Sequence, residues 1–214
     1  MPTDFADALY GDLSMAEWPD EESEETLVEP WSSFSQARSA IADNDQDTAI
    51  EIWHRIADTP GLEPRHYLQA WSFLRQAGKA PNDATAAKLH GLVIDVPMGS
   101  GVDRLAAYSD LSVRFISHAG SAVIWDRPDA SLDEAVGLLL QAGDKVVGQI
   151  GLWDGERPPS PSAGRIRLNL LTPAGLRFGE APFEVLAADP LGGPVVSAGL
   201  VLLEQLLGMA GEGE

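Results

Sequence analysis

The chain of 214 residues contains no cysteine. That excludes a disulfide framework, a thiolate metal site and a cysteine nucleophile, and it fits a reducing compartment. The first thirty residues hold no Lys or Arg, against ten acidic residues. With neither a basic n-region nor an apolar h-region, this start does not read as a secretory signal. Long apolar runs are also missing. The longest near the C-terminus, Val195 to Leu203, is interrupted by Ser197 and stopped by Glu204, too short to span a bilayer. Basic residues are scarce throughout, 14 Lys and Arg against 33 Asp and Glu, a formal net charge of −19. Such a chain is repelled by nucleic acid and by anionic membranes. Neither is an expected partner, and a cytoplasmic location is expected.

Catalytic and cofactor signatures are equally thin. There is no G-x-S-x-G elbow. His54, His66, His90 and His118 are scattered, with none of the spacings that hold zinc. Asp43, Asp45 and Asp47 alternate like the start of a calcium loop. Thr48 stands where that loop needs glycine, and Trp53 and His54 fill the end where it needs Glu. The acids read instead as a helix N-cap cluster. MGSGVDR (98–104) has one Gly-x-Gly but lacks the third glycine of a dinucleotide fingerprint, and a strand follows it. No metal and no cofactor is expected.

What the chain has is a hydrophobic fraction of 44%, enough for a buried core, distributed over three segments. Residues 1–30 read as an acidic flexible tail, with the run DEESEE (20–25) too charged to pack. Phe5, Leu9 and Leu13 recur at helical spacing, with Trp18 nearby. They suit either docking into a partner's groove or packing on the chain's own domain. Residues 31–90 read as a helical module. One helix runs through Phe34, Ala37 and Ile41. A second runs through Ala49, Ile52, Trp53 and Ile56 to the Pro60-Gly61 break. A third starts at Pro64 and runs through Tyr67, Leu68, Trp71 and Leu74, and a short fourth follows Asn82. The stretch AIADNDQDTAIEIWHRIADTP resembles a tetratricopeptide repeat, with Ala49, Trp53, Ile56 and Pro60 near the family's small, large, small and proline positions. The resemblance covers residues 31–78, lacks the family's first-helix Trp-Leu-Gly-Tyr signature, and implies a scaffold for protein contacts.

Residues 91–214 alternate strands and helices: four strands, a helix, two strands, a helix. The predicted fold class is α+β, helical hairpins followed by an antiparallel sheet of about six strands covered on one face by two helices. The Ser131 to Glu134 run reads as a capping box opening the first of these helices, which Gly143 would kink. A three-residue turn, 173–175, is expected between the last two strands.

Pleat alternation then sorts the side chains. Leu105, Ala107, Val113, Phe115, Val123, Trp125, Ile166, Leu168, Leu170 and Phe178 fall on a core face. Arg104, Tyr108, Arg114, His118, Asp126, Arg165, Arg167 and Arg177 fall on the other. Ser117 and His118 in RFISHAGSAVIWD (114–126) point to opposite faces, so they cannot form a nucleophile–base pair on a regular strand. The arginine face has two readings: each Arg pairs with a local carboxylate, or together they dock something acidic. The functional expectation is a non-catalytic protein-interaction protein, an adaptor, chaperone-like or regulatory subunit. It would use Phe5, Leu9, Leu13 and Trp18 of the tail and Arg104, Tyr108, Arg114, Arg165, Arg167 and Arg177 of the sheet. The expected partner is another protein, and the uncovered sheet face also allows a homodimer. The alternative is a small enzyme on an anionic substrate, with Arg114, Arg165 and Arg167 binding the anion and His118 and Asp126 supplying acid–base chemistry.

Overall fold

The computed structural model describes residues 6–18, 28–99 and 101–211, residues 210 and 211 by their backbone alone. The chain forms two compact units, Met1–Ala86 and Ala87–Glu214, so the division falls four residues before the expected boundary at 90. Phe5 and the DEESEE run lie outside the described residues.

The first unit is built on helices α1 (Trp31–Ala42), α2 (Gln46–Asp58) and α3 (Pro64–Gln76), with a single turn α4 (Asp83–Ala86) after them. Asp45 caps α2 as its sequence position predicts. Its carboxylate accepts from the Thr48 amide at 3.1 Å and the Thr48 hydroxyl at 2.7 Å. Pro64 opens α3, where its missing N–H costs nothing. The inward stripes Phe34 and Ala37, Ile52, Trp53 and Ile56, and Phe73 and Leu74 close one core. Phe73 sits in edge contact with Phe34 and in tilted contact with Trp53, at centroid distances of 6.2 and 5.4 Å.

Residues 6–18 belong to this unit and are not a free tail. They make one 3₁₀ turn, Asp7–Tyr10, not the longer helix the spacing suggests. Gly11 then reverses the chain at φ +62°. A β-carbon there would lie 2.6 Å from Leu68 Cβ and 3.0 Å from the Arg65 carbonyl, so only glycine fits. Gln69, itself buried, holds Leu13 by both backbone groups: Leu13 N–H donates to Oε1 at 3.0 Å and Gln69 Nε2 donates to the Leu13 carbonyl at 2.9 Å. Trp18 packs against Trp31, Phe34 and His66.

The second unit carries strands β1 (Gly91–Met98), β2 (Gly101–Tyr108), β3 (Val113–Ile116) and β4 (Ala122–Trp125). Helix α5 (Asp133–Val147) follows, then β5 (Arg165–Thr172), β6 (Gly175–Pro182), a short α6 (Phe183–Ala188) and a long α7 (Gly192–Gly211). All pairings are antiparallel, in the order β4-β3-β2-β1-β5-β6. The α+β class and the six strands agree with expectation, and the covering layer has a third helix, α6. Ser131 does not cap α5; its hydroxyl donates to Asp129 instead, and Leu132 precedes the helix with no side-chain cap. Helix α5 runs unbroken through Gly143. Gly143 lets the helix approach the sheet, since a β-carbon there would lie 2.7 Å from Leu92 Cδ1.

The core joins α5 and α7 to one sheet face through Leu92, Leu105, Val113, Leu168, Leu170, Leu139 and Leu202, among others. Nine of the ten expected core-face residues lie in or against this cluster. The exception is Phe178, and Arg177 is the matching error on the other face. The β5–β6 hairpin closes with Thr172 opposite Gly175, leaving a two-residue loop. Leu170 therefore opposes Arg177, and Asn169 opposes Phe178. A three-residue loop would have paired Leu170 with Phe178. One residue of loop length inverts every side chain on β6.

Candidate interaction surfaces

Arg104, Tyr108, Arg114, Arg165 and Arg167 do share a sheet face, with Asp95, Asn169, Phe178 and Glu180. The four arginines are paired with carboxylates in three separate groups. Arg167, only 4% exposed, places Nη2 2.6 Å and Nε 2.9 Å from Glu180 Oε2. Its Nη1 and Nη2 also donate to the carbonyls of Pro158 and Pro159 at 3.0 and 2.8 Å. Its guanidinium lies 5.2 Å over the Phe178 ring. Phe178 in turn meets Trp153 at 5.1 Å, and the Trp153 amide donates to the Leu176 carbonyl at 2.8 Å. Arg167 is thus the anchor that holds the proline-rich 153–164 loop on the sheet.

Arg165 Nε donates to the other oxygen of Glu180 at 2.7 Å. Burial pushes the Glu180 carboxyl upward, but the hydrogen bonds and charges of Arg165 and Arg167 outweigh it and leave it below the ordinary glutamate value. Buried Arg114 pairs with Asp126 and donates to the carbonyls of Val113 and Trp125 at 3.1 and 3.3 Å. Arg104 stands 3.7 Å from Asp95, whose other oxygen accepts from Asn169 Nδ2 at 3.0 Å. Of the two sequence readings, local pairing describes these four arginines. Arg177 is on the helix side of the sheet.

His118 and Asp126 do not converge. β3 ends at Ile116, and the turn from Ser117 to Ser121 swings His118 out of strand alternation. His118 Nδ1 lies 2.8 Å from Asp103 Oδ1, which also accepts the His118 amide at 2.6 Å. Asp126 is engaged by Arg114. Ser117 and Ser121 hydrogen-bond to each other through their hydroxyls at 2.7 Å. Neither the arginines nor a serine is brought to His118 by any of these contacts. Among the described residues no group of three or more His, Asp or Glu side chains could hold a metal ion.

Leu9, Leu13 and Trp18 are 0, 6 and 8% exposed. In this fold they are core residues and present no apolar stripe to a partner.

Exposed large apolar side chains are spread over several elements, among them Ile124 of β4, Trp153, and Phe183 and Val185 of α6; four of them lie on the outer side of α5 and α7. The inner side of α7 (Val195, Val196, Leu202, Leu206) is buried. Its outer side carries Leu200, Val201 and Leu207, 53, 46 and 42% exposed, and Leu138 of α5 is 53% exposed. Between the helices runs an open groove of about 330 Å³, lined by Leu138, Ala142 and Lys145 on one wall and Pro194, Ala198 and Val201 on the other. Residues 192–209 have a mean hydropathy of 1.4, long and apolar enough to cross a membrane, with 39% of the stretch buried. The helix is longer than the sequence suggested, yet its inner face is part of the sheet core. A signal for this surface was present in the sequence. A helix apolar on all sides, laid on one face of a two-layer sandwich, must leave an apolar side uncovered. No family model, curated protein or solved structure matches the chain.

Proposed function

We propose that this chain is a non-catalytic protein-interaction protein that binds a protein partner through the outer face of α5 and α7. The observation that carries the reading is the exposure of Leu138 and Val201 in the groove and of Leu200 and Leu207 on the neighbouring flank of α7. Together they expose an area on the order of a few hundred Å², the size of the largest apolar patch on a typical monomer, which is often functional. Two features support it. Arg104, Arg114, Arg165 and Arg167 are paired within their own domain, so they have little free charge to offer an anionic substrate. His118 is held by Asp103, away from those arginines. The lack of cysteine suits work in the cytoplasm.

A photo-crosslinking side chain placed at position 138, in cells that make the full chain, tests this. The reading expects a discrete protein adduct that disappears when Leu200 and Val201 are both changed to Asp. Absence of any protein adduct, or an adduct indifferent to those changes, would refute it.

A further inference from the structure

The outer face of α5 and α7 holds a groove and, beside it, a ridge. Val201 lines the groove, while Leu200, Glu204 and Leu207, spaced i, i+4 and i+7, form one exposed stripe along the neighbouring flank of α7. The groove wall carries one charge, Lys145, and the ridge carries one charge, Glu204; both are exposed, and neither forms an ion pair among the described residues. The ridge is apolar with a central acid. The groove is mostly apolar, with Gln141, Ser197 and one base, Lys145, in its lining. Both lie on the same face of the same helix pair.

We infer that the occupant of this face is a second copy of the chain, related by a two-fold axis, each copy laying its Leu200–Glu204–Leu207 ridge in the other's groove with Glu204 against the other copy's Lys145. The inference rests on the α5–α7 face being the docking surface. A ridge and groove side by side become self-complementary under a two-fold rotation, because each copy offers what the other lacks. The charges satisfy the same operation, since it forms two Lys145–Glu204 pairs from two lone bases and two lone acids. Chains that each carry −19 repel one another, so their association favours a face of low charge, and the groove wall and ridge hold one charge each. Asp144 and Glu134, also exposed on α5, are the acids that such a pair would have to keep at its rim.

The test is sedimentation equilibrium of the full chain and three variants, with circular dichroism confirming that each is folded. Wild type is expected at twice 22.8 kDa at micromolar concentration. Lys145→Glu and Glu204→Lys are each expected to weaken association at least tenfold, and Leu200→Asp to abolish it. An equimolar mixture of the two charge variants should associate again, because each contact then pairs an acid with a base. A wild-type chain that stays at 22.8 kDa, a dimer untouched by Leu200→Asp, or a mixture that fails to associate would overturn the inference. The crosslinker at position 138 separates the two levels of failure. An adduct only to a different protein removes the second copy and leaves the interaction reading standing, whereas no protein adduct removes both.

Discussion

Acidification to about pH 5 should destabilise the second unit through one buried side chain, His90. The residue is 6% exposed. Its backbone is tied on both sides, its N–H to the Leu171 carbonyl at 2.9 Å and its carbonyl to the Ser109 N–H at 3.0 Å. Burial, reinforced by the charge of Lys88, pushes the imidazole down from 6.5 to about 4. The folded state therefore holds His90 neutral while the unfolded chain takes up a proton below about pH 6.5. Between those two values the unfolded state binds more protons, so stability rises with pH. The contribution is fully present above 6.5 and is lost as pH falls toward 4. With those two pKa values, the loss between about pH 7.5 and about pH 5 comes to about 2 kcal/mol. At a urea slope of about 2 kcal/mol/M, the midpoint would fall by about 1 M. His90→Gln keeps a polar side chain and removes the titration. The difference in pH slope between wild type and variant isolates His90, because both share every carboxylate. Urea unfolding at the two pH values measures it, and the imidazole carbon shift of His90 by NMR gives the folded-state pKa directly. Titration of His90 near 6.5 in the folded protein, or a variant with the wild-type slope, would refute the reasoning.

Three further outcomes follow from the same structure. Glu180→Gln breaks the ion pairs of Arg165 and Arg167. Because Glu180 is partly exposed and Arg167 keeps two carbonyls, a loss of about 2 kcal/mol in chemical denaturation is expected, below the roughly 3–5 kcal/mol of a fully buried pair. In wild type the depressed Glu180 carboxyl contributes stability above its unfolded value of 4.5, lost as pH falls through the lower folded value, and the variant should lack that acid limb. Gln69→Ala leaves the buried Leu13 N–H and carbonyl unpaired, costing about 1–3 kcal/mol and opening residues 6–18 to limited proteolysis ahead of α1. Trp18→Ala, which empties the site against Trp31 and Phe34, should cost about 3–5 kcal/mol in the first unit; a change under about 1 kcal/mol would mean that the segment is not part of the core.

Much of this protein is set by local pattern. The helices at 46–58 and 64–76 follow from an Asp cap, a proline at the first turn and apolar residues every three to four positions. The order of strands and helices follows from period-two runs broken by turn residues. These signals are short-range, so one chain carries them without reference to any other part. What tertiary structure decided is what each element faces. Phe178 and Arg177 exchanged sides because one residue of hairpin length sets strand phase. His118 left the arginine face because β3 ended two residues before it. Trp18 and Leu13 became core because Gln69 and Gly11, more than fifty residues apart, fold the acidic N-terminal segment back on α3. The arginines of the sheet were identifiable as a cluster and their pairing with carboxylates was one of two readings, but which carboxylate meets which arginine depends on strand register and was decided by the sheet. The apolar outer side of α7 was legible as composition. Its exposure became definite only when the sheet had room to bury one side of that helix, since a two-layer fold has no third layer to cover the other.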